Sequence, residues 1–357
     1  MTKPAPNTPR ASGFRMPAEW EPHEATWIAW PHNRLDWPGK FAAIPWVYGE
    51  IVRKLSQVER VRILVNDESA ERAARRILKR VGAALDAVEF FRLPTDRVWT
   101  RDFGPIFVIK AGETAITNWV FNGWAKYPDW RKDNEVPGAL ATLLKMRQWE
   151  PGLVLEGGSI DVNGRGALLT TEECLLSPVQ ARNPGMSRAE IERSLANHLG
   201  ATKVIWLKNG IAGDDTHGHV DDLARFVDAE TVVTVIERER GDANYEPLRE
   251  NLQLLRRERF RVVTLPMPTP VFFDGVRLPA SYANFYIANG LVLVPTFNDP
   301  NDRVALRTLA RLFPDREVAG IHAVDLVWGL GTLHCMTQQQ PSAHHRTPPP
   351  SYATARN

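Results

Sequence analysis

The residues with the clearest chemical potential lie near the end of the chain, in GLGTLHCMTQQQP (residues 329–341). Cys335 follows a histidine and two glycines there and precedes a polar run. A free thiol has a pKa of about 8.5, which a neighbouring cation would lower. Cys335 is therefore a candidate nucleophile, with a metal ligand and an inert buried side chain as alternatives. The other cysteine, Cys174 in LLTTEECLLSP, adjoins an apolar run and is predicted to be structural.

A second candidate segment, GDDTHGHVDD (residues 213–222), concentrates histidines and aspartates. If it is extended, His217, His219 and Asp221 point to one face, because side chains alternate along a strand. Such a face could bind zinc through the H-x-H pair. Alternatively, one histidine acts as general acid and base while an aspartate binds substrate. A surface loop without chemistry is the third interpretation.

Two further loops place a carboxylate beside glycine: WTRDFGP holds Asp102 and LEGGSID holds Glu156. Either carboxylate alone would be explained by a turn. With a cysteine and a histidine, however, they match one reaction. Two carboxylates can grip a planar guanidinium by paired hydrogen bonds while a thiolate attacks its central carbon. A histidine would then protonate the departing nitrogen. The four loops together therefore predict a guanidine-modifying enzyme.

Alternating helical and β-rich segments must position these loops. Amphipathic patterns predict helices, and short β-rich runs predict strands. The predicted helices cover residues 46–58, 69–82, 134–147, 187–199, 244–257 and 302–313, and the predicted strands cover residues 61–65, 88–93, 203–207, 261–265, 291–297 and 316–321. This alternation is typical of an α/β protein. The later helices start roughly every 55 residues, which favours a radial repeat whose loops converge on one axis.

Composition and charge exclude several classes of protein. The chain is 43% hydrophobic and 24% charged, which is typical of a folded soluble protein. Its net charge of +2, from 44 basic and 42 acidic residues, argues against a nucleic-acid partner. Two cysteines exclude a disulfide framework and a four-cysteine zinc site. No stretch approaches the roughly 18 apolar residues of a membrane span, so we expect a cytoplasmic protein without a membrane partner.

An opening signature and five ordered segments resemble the agmatine deiminases and the wider Porphyromonas-type peptidylarginine deiminase family. They are MPAEWEPHEATWIAWPHNRLDWPG, TRDFGP, LEGGSID, LLTTEECLLSPVQARNP, DDTHGHVDD and LHCMTQQQP. The resemblance implies a five-bladed, pseudo-symmetric α/β propeller, the pentein fold, with its active site on the central axis. It covers residues 14–341, expected to form a single catalytic domain. Residues 1–13 are predicted to be a disordered leader and residues 342–357 a flexible tail.

The resemblance also implies a role for each candidate residue, with no metal and no cofactor. Cys335 resembles the nucleophile that forms a covalent amidino-thioether intermediate. His219 resembles the general acid and base. Asp102 and Asp221 resemble the carboxylates that bind the guanidinium. Glu156 resembles the carboxylate that orients the histidine and contacts a substrate nitrogen.

The chain departs from the family's usual motifs at several positions. Thr100 and Phe103 flank the Arg-Asp pair of M-R-D-T-G-P, His217 and Asp222 replace the asparagines of D-T-N-G-H-V-D-N, and Leu330 and Thr332 alter G-G-G-N-I-H-C. The candidate catalytic residues are all kept, so the departures bear on the rest of the pocket. Agmatine ends in an ammonium, for which Trp99 or Asp215 is the predicted neighbour. Free arginine would need a cation for its carboxylate, and the sequence identifies none.

The expected reaction is the hydrolysis of agmatine to N-carbamoylputrescine and ammonia, a step of putrescine and polyamine synthesis. The same chemistry on peptidyl-arginine or another guanidine is the nearest alternative. A metal-dependent amidohydrolase that uses HGHVDD, and a guanidine-binding protein without activity, are the alternatives from other classes. Family members often form dimers or larger assemblies, so a homo-oligomer stays open.

Overall fold

The structure is a computed structural model that describes residues 4–343 as an α/β chain. Its α-helices are α1 (Ile44–Leu55), α2 (Glu68–Val81), α3 (Thr100–Phe103), α4 (Arg131–Leu143), α5 (Glu172–Leu176), α6 (Arg188–Leu199), α7 (Tyr245–Arg257) and α8 (Asp302–Leu312). Its strands are β1 (His23–Ala29), β2 (Arg60–Val65), β3 (Val88–Arg92), β4 (Ile106–Lys110), β5 (Glu113–Thr117), β6 (Gln148–Trp149), β7 (Asp161–Val162), β8 (Ala167–Thr171), β9 (Lys203–Leu207), β10 (Ala224–Phe226), β11 (Thr231–Ile236), β12 (Arg261–Pro266), β13 (Phe272–Phe273), β14 (Val276–Arg277), β15 (Tyr286–Ala288), β16 (Leu291–Thr296), β17 (Glu317–His322) and β18 (Gln338–Pro341).

Within the described residues, one structural unit recurs four times. In each unit two antiparallel strands are followed by a helix and by a third strand parallel to the second. The units are β4-β5-α4-β6, β7-β8-α6-β9, β10-β11-α7-β12 and β15-β16-α8-β17. Their helices begin at Arg131, Arg188, Tyr245 and Asp302, which are evenly spaced along the chain. The recurrence predicted from the sequence is therefore present.

A fifth sheet joins the two ends of the described chain. Strand β18 runs antiparallel to β1, β1 runs parallel to β2, and β2 runs parallel to β3. The C-terminal strand thus takes the place that the first strand takes in the other units. As a result, the loop that carries Cys335 is brought back beside the first strand of the chain.

The segment just before the first strand of a unit carries the candidate residues. Asp102 precedes β4, Glu156 precedes β7, His219 and Asp221 precede β10, and Cys335 precedes β18. Since the units share one topology, equivalent segments emerge at equivalent places. The repeat therefore explains how residues far apart in sequence reach one site.

The middle strands of the sheets form the core. Strands β8, β11 and β16 are buried along nearly their whole length. Continuous apolar runs of this kind are typical of strands covered on both faces. Strands β9, β12, β16 and β17 lie close to their predicted positions, whereas the buried middle strands β8 and β11 and the first strands of the units were not predicted.

Strand β18 is the clearest strand that the sequence did not predict. Its residues, QQQP, are polar, yet all four are buried. Some of their polar groups have partners: Gln338 donates to the carbonyl of Pro105 (2.8 Å), and Gln340 accepts from Nε1 of Trp27 (2.9 Å), whereas Oε1 of Gln338 and of Gln339 has none among the described residues. Buried amides are tolerated when they are hydrogen-bonded, but those partners are far away in sequence.

The ends of the chain differ in part from expectation. Residues 4–13 belong to the segment predicted as a disordered leader, but the structure packs them against α6. Thr8 and Pro9 are buried, and the backbone N–H of Ala5 donates to Oδ1 of Asn197 (3.3 Å). These contacts are made by polar and proline residues, which carry no apolar periodicity. Residues 1–3 and 344–357, which include most of the predicted tail, lie outside the described residues.

The six longer helices beyond the short α3 and α5 begin and end within a few residues of their predicted bounds. Helix α6 shows why: Ser187 and Glu190 form a capping box, and Gly200 ends the helix with φ of 77°. Such caps depend on neighbours in sequence, so they can be recognised without the fold. None of the helices between residues 4 and 343 combines the length and the apolar character needed to cross a membrane.

Replacing Ser187 by alanine removes the hydroxyl of this capping box. We expect Ser187→Ala to lower the free energy of unfolding by about 1 kcal/mol, measured by urea denaturation. Ser194→Ala, in the middle of the same helix, is the matched control and should not destabilise, because alanine is the better helix former there. Equal stability of the two variants would contradict the prediction.

Candidate active site

Five predicted residues from four loops meet in one buried cluster. His219 Nδ1 lies 3.7 Å from Asp102 Oδ1 and 4.0 Å from Asp221 Oδ1. On the other side of the ring, His219 Nε2 lies 3.8 Å from Glu156 Oε2. Cys335 Sγ lies 3.8 Å from Asp221 Oδ2. All five side chains are buried, so the thiol, the imidazole and the three carboxylates share one protected environment.

Glycines let the loops approach this closely. Gly158 donates its backbone N–H to Asp102 Oδ1 (3.0 Å). A Cβ atom on Gly158 would lie only 2.6 Å from His219 Nδ1 and 2.7 Å from Asp102 Oδ1. A Cβ atom on Gly331 would lie 2.8 Å from the ring of Trp99. The glycines of the LEGGSID and GLGTLHC loops are thus required by space.

The extended conformation assumed for the HGHVDD segment is wrong. His217 has φ of 65°, and a 3-10 turn follows directly after His219. Asp214 imposes this path, since its Oδ2 accepts the backbone N–H of His219 (3.2 Å). His217 therefore turns away, and its Nδ1 lies 3.7 Å from Glu173. His219 and Asp221 reach the cluster, whereas His217 does not.

One group among the described residues has the donors and spacing to hold a metal ion. It consists of Glu156, Cys174 and His219, whose ligand atoms lie within 4.8 Å of one another. This is not the His217 set of the zinc interpretation. The donor types suit zinc, but Arg182 Nε donates to Glu156 Oε1 (2.9 Å). A fixed guanidinium beside one ligand opposes a divalent ion there, so the group fits a metal poorly.

The pKa values of Glu156 and Asp102 shift in opposite directions, although both carboxyls are buried. Burial favours the neutral form of both carboxyls, because a buried charge loses its hydration. For Glu156, the charges of Arg182 and His219 prevail and lower the pKa to about 2. For Asp102, burial prevails with the charges of Asp221 and Glu156 added, and its pKa rises to about 7 despite His219. At neutral pH, Glu156 is therefore ionised and Asp102 only partly so.

The imidazole of His219 is held in its protonated form. Burial opposes the charge, but Asp102, Cys174 and Glu156 outweigh it and raise the pKa of His219 well above its usual range. A protonated imidazole has two N–H donors and can give up one proton. His219 is thus prepared to act as an acid.

The Cys335 thiol is held protonated in the same site. Burial raises its pKa, and the charges of Asp221, Asp222 and Asp102 raise it further, to well above its usual range. The sequence suggested that a cation beside the thiol would lower its pKa, but the nearest charges of the protein are negative. The activating cation must therefore arrive with a ligand.

Several buried polar atoms of the cluster have no hydrogen-bond partner within the described part of the chain. They are Glu156 Oε2, Asp221 Oδ1 and both ring nitrogens of His219. Buried polar atoms are nearly always paired, so these atoms indicate a polar ligand. A guanidinium group, with N–H donors pointing in fixed directions, suits the two carboxylate oxygens.

A set of ionisable residues that the sequence did not single out supports Asp221. His334 bridges Asp221 Oδ2 (Nδ1, 2.7 Å) and Glu19 Oε2 (Nε2, 2.8 Å). Glu19 also pairs with Arg225 (2.9 Å) and Arg101 (3.1 Å). The available signal was position alone: Glu19 lies in the opening signature and His334 directly precedes the candidate nucleophile.

Trp124 and Arg182 were missed as well. Trp124 Nε1 donates to Asp102 Oδ2 (2.9 Å), and Arg182 holds Glu156 as described above. Arg182 lies in the QARNP part of a quoted motif, which was a usable signal. Nothing in the sequence distinguishes Trp124 from the other tryptophans.

A cavity of about 610 Å³ leads to the cluster. Cys335 and Asp102 line it, as do Trp99 and Asp215, the two residues predicted to contact the far end of the substrate. Trp99 is nearly buried, and Asp215 Oδ2 accepts from the hydroxyl of Tyr127 (2.5 Å). The cavity thus joins the reactive groups to all the predicted substrate contacts that lie outside the cluster.

Residues 15–341 match the family described as Porphyromonas-type peptidyl-arginine deiminase. An agmatine deiminase of Pseudomonas aeruginosa is 36% identical over 94% of this chain and 98% of its own length. Among solved structures, the C. jejuni agmatine deiminase with substrate bound has 32% identity, covers 92% of this chain and 96% of its own, and superposes with a TM-score of 0.86.

Two other solved structures extend the comparison. The agmatine deiminase of Enterococcus faecalis has 32% identity, covers 96% of this chain and all of its own, and gives a TM-score of 0.87. DDAH from Pseudomonas aeruginosa has 13% identity and a TM-score of 0.50, so that likeness concerns the fold alone. These neighbours support the α/β pentein-type fold implied by the sequence.

The raised pKa of Asp102 predicts the pH dependence of cation binding. The ionised carboxylate attracts a guanidinium, whereas the neutral form, which dominates below about pH 7, does not. We expect kcat/KM for a guanidine substrate to fall about tenfold per pH unit below pH 7. Steady-state rates between pH 5 and 8 would test this. A profile that stays flat down to pH 5 is incompatible with the prediction.

Proposed function

Because the chain belongs to the Porphyromonas-type peptidyl-arginine deiminase family, we propose that it hydrolyses agmatine to N-carbamoylputrescine and ammonia. Such an enzyme is a hydrolase that acts on C–N bonds of linear amidines. Relatives named agmatine deiminase match over nearly their whole length. One observation carries the proposal: Cys335 Sγ lies 3.8 Å from Asp221 and lines one cavity with Asp102. The attacking atom and the cation-binding groups thus lie side by side.

Substrate binding is the step that prepares the thiol. The guanidinium donates its N–H groups to Asp102, to Asp221 Oδ1 and to Glu156 Oε2, and the last two of these are buried without partners among the described residues. Its positive charge favours the ionised form of Asp102 and of the thiol of Cys335. The thiol proton leaves through the cavity to solvent. The nucleophile is thereby formed only when its target is in place.

The chemistry then proceeds in two halves. The Cys335 thiolate attacks the guanidinium carbon and forms a C–S bond. His219 donates a proton to one nitrogen, the C–N bond breaks, and ammonia leaves an amidino-thioether. The now neutral His219 takes a proton from water, whose oxygen attacks the same carbon. The C–S bond breaks to return the thiolate, and loss of a proton leaves the urea product. Glu156 keeps the imidazole oriented in both halves.

The walls of the cavity favour an ammonium at the far end of the substrate. Asp36, Asp129 and Asp215 line the cavity, and the cation among them, Arg97, is already bound by Asp36 (2.8 Å) and Asp129 (2.8 Å). A free carboxylate would therefore meet acidic neighbours and no unpaired guanidinium. Trp99 offers an apolar face for the methylene chain. Agmatine suits this environment better than arginine does.

The organisation of the molecule is part of the proposal. The four repeated units and the sheet that joins the chain ends are taken as the blades of a propeller around the site, with residues 14–341 as one catalytic domain. The antiparallel pairing of β18 with β1 supports this, because it joins the two ends of the repeat. Both cysteines are free thiols, which supports a reducing compartment such as the cytoplasm. A homo-oligomer stays a proposal without a surface assigned to it.

Substrate comparison tests the choice of agmatine. With ammonia release as the readout, we expect kcat/KM for agmatine to exceed that for free arginine by on the order of 100-fold, because the carboxylate of arginine would face the acidic wall. An arginyl peptide is the third substrate. No turnover of agmatine, or faster turnover of the peptide, would overturn the choice.

Trapping the intermediate tests the mechanism. We expect mass spectrometry of the protein mixed with agmatine to find an amidino group on the peptide that contains Cys335, because the thioether forms before water attacks. Cys335→Ala should be folded, inactive and unmodified. Cys174→Ala, which changes the other thiol, should still carry the modification on Cys335.

The rival interpretations give other results. A metal-dependent amidohydrolase would lose activity to a chelator and keep most of it in Cys335→Ala. A guanidine-binding protein would bind agmatine tightly and release no ammonia. Either pattern would falsify the proposed mechanism.

A further inference from the structure

The fourth repeated unit has a site-facing residue to which the proposed mechanism gives no role. In the other units, and in the sheet that joins the ends, the segment before the first strand supplies a catalytic group. In the unit that begins with β15, Asn284 occupies that segment, directly before Phe285 and the strand. Asn284 is buried, with 1% of its surface exposed. Asn284 therefore occupies the position at which the other units carry their catalytic groups.

The side chain of Asn284 contacts the nucleophile directly. Its Nδ2 group donates to Cys335 Sγ (3.0 Å) and to Asp222 Oδ1 (3.1 Å). An amide nitrogen has two hydrogens, so one is available for each acceptor. Asp222 lies in the same 3-10 turn as Asp221. The amide thus links the turn that binds the cation to the attacking sulfur.

The orientation of the amide is fixed by its other end. Asn284 Oδ1 accepts from the hydroxyl of Thr332 (2.7 Å) and from the backbone N–H of His334 (3.0 Å). Both donors come from the loop that carries Cys335. An exchanged amide would place its NH2 group against these donors, so hydrogen bonding supports one orientation. That orientation points the NH2 group at the sulfur.

We propose that Asn284 is a further catalytic residue, which donates an amide hydrogen to the Cys335 sulfur, and that Asp222 holds this amide in place. A thiolate accepts a hydrogen bond more strongly than a thiol does. The contact therefore stabilises the sulfur anion before attack and again when the C–S bond breaks. The inference rests on the proposed function only in naming Cys335 as the nucleophile.

The surroundings of the sulfur explain why such a donor is needed. The titratable groups around it are Asp221 and Asp222 from the 3-10 turn, His219 before that turn, Asp102 from α3, Tyr48 from α1 and His334 from its own loop. The aspartates all disfavour a negative charge on the sulfur of Cys335. Asn284 supplies a donor without adding a charge that would repel a guanidinium. Asp222 stands where the resembled motif has asparagine, so this chain anchors the amide with a carboxyl group.

The test measures the sulfur itself, without any substrate. Iodoacetamide alkylates thiolates, and mass spectrometry assigns the modification to the peptide with Cys335 rather than Cys174. Asn284→Asp keeps the shape and the accepting oxygen but removes the N–H donor. We expect its alkylation at pH 8 to be at least about tenfold slower, equivalent to a rise of one pKa unit. We also expect kcat to fall more than KM rises. Asn284→Ala removes the donor without adding a charge and should lower both the alkylation rate of Cys335 and kcat.

Two further variants separate this role from a structural one. Burial and the charges of Asp221 and Asp214 hold the pKa of Asp222 well above its usual range. Asp222→Asn therefore keeps both a neutral side chain and an accepting oxygen for the amide, so alkylation of Cys335 should stay close to the wild-type rate. Asn251→Ala is the matched control, because Asn251 is a buried asparagine of α7 that bonds Lys208 and Asn209. Asn251→Ala should leave the alkylation rate of Cys335 unchanged.

The outcomes distinguish the inference from the proposed function. Wild-type alkylation rates in both Asn284 variants would overturn the inference, even if kcat falls, because a structural role alone would lower kcat. If Asn284→Asp does not fold, Asn284→Ala decides, and an alkylation rate in Asp222→Asn far from the wild-type rate counts against the role given to Asp222. Failure to turn over agmatine would remove the proposed function and leave the alkylation result standing.

Discussion

A buried carboxylate that must stay charged is the constraint on which this structure depends. Asp221 has to be ionised to bind a cation, yet burial penalises its charge. Its partner His334 supplies the compensation and is itself fixed by Glu19, which Arg225 and Arg101 hold in turn. The burial of several ions is therefore tolerated only as a connected set. The opening signature, α3, β10 and the last loop must all be in place before any one of these charges is stable.

The same electrostatic arrangement controls when the sulfur can react. With no cation in the site, Asp221 and its neighbours keep the thiol of Cys335 protonated and the imidazole of His219 charged. In the proposed mechanism, the positive charge of the guanidinium favours the thiolate form of Cys335. The reactive anion is therefore coupled to the presence of a suitable target. This limits attack on other electrophiles that enter the cavity, since a neutral molecule does not supply the charge.

Much of this could be read from the sequence where the signal is local. The capping box at Ser187 and the apolar run of β16 depend on neighbours, so both lie where they were predicted. The cluster of Asp102, Glu156, His219, Asp221 and Cys335 followed from chemistry and resemblance together. By contrast, the direction of the His217 side chain depends on a hydrogen bond that Asp214 accepts from the loop backbone. The buried glutamines of β18 depend on partners far along the chain. Asn284 lies in an unremarkable segment, and only the repeat of the fold reveals its position.

The pairing of β18 with β1 has a consequence for folding during synthesis on the ribosome. The strand that completes the first sheet, together with the reactive sulfur just before it, is synthesised long after β1. Until then the outer edge of β1 has no strand beside it, and Glu19 lacks its hydrogen-bond partner His334. Domains commonly fold as synthesis proceeds, but this one can become an enzyme only after β18 has been made. A prematurely terminated chain would therefore be both unable to react and left with an exposed strand edge.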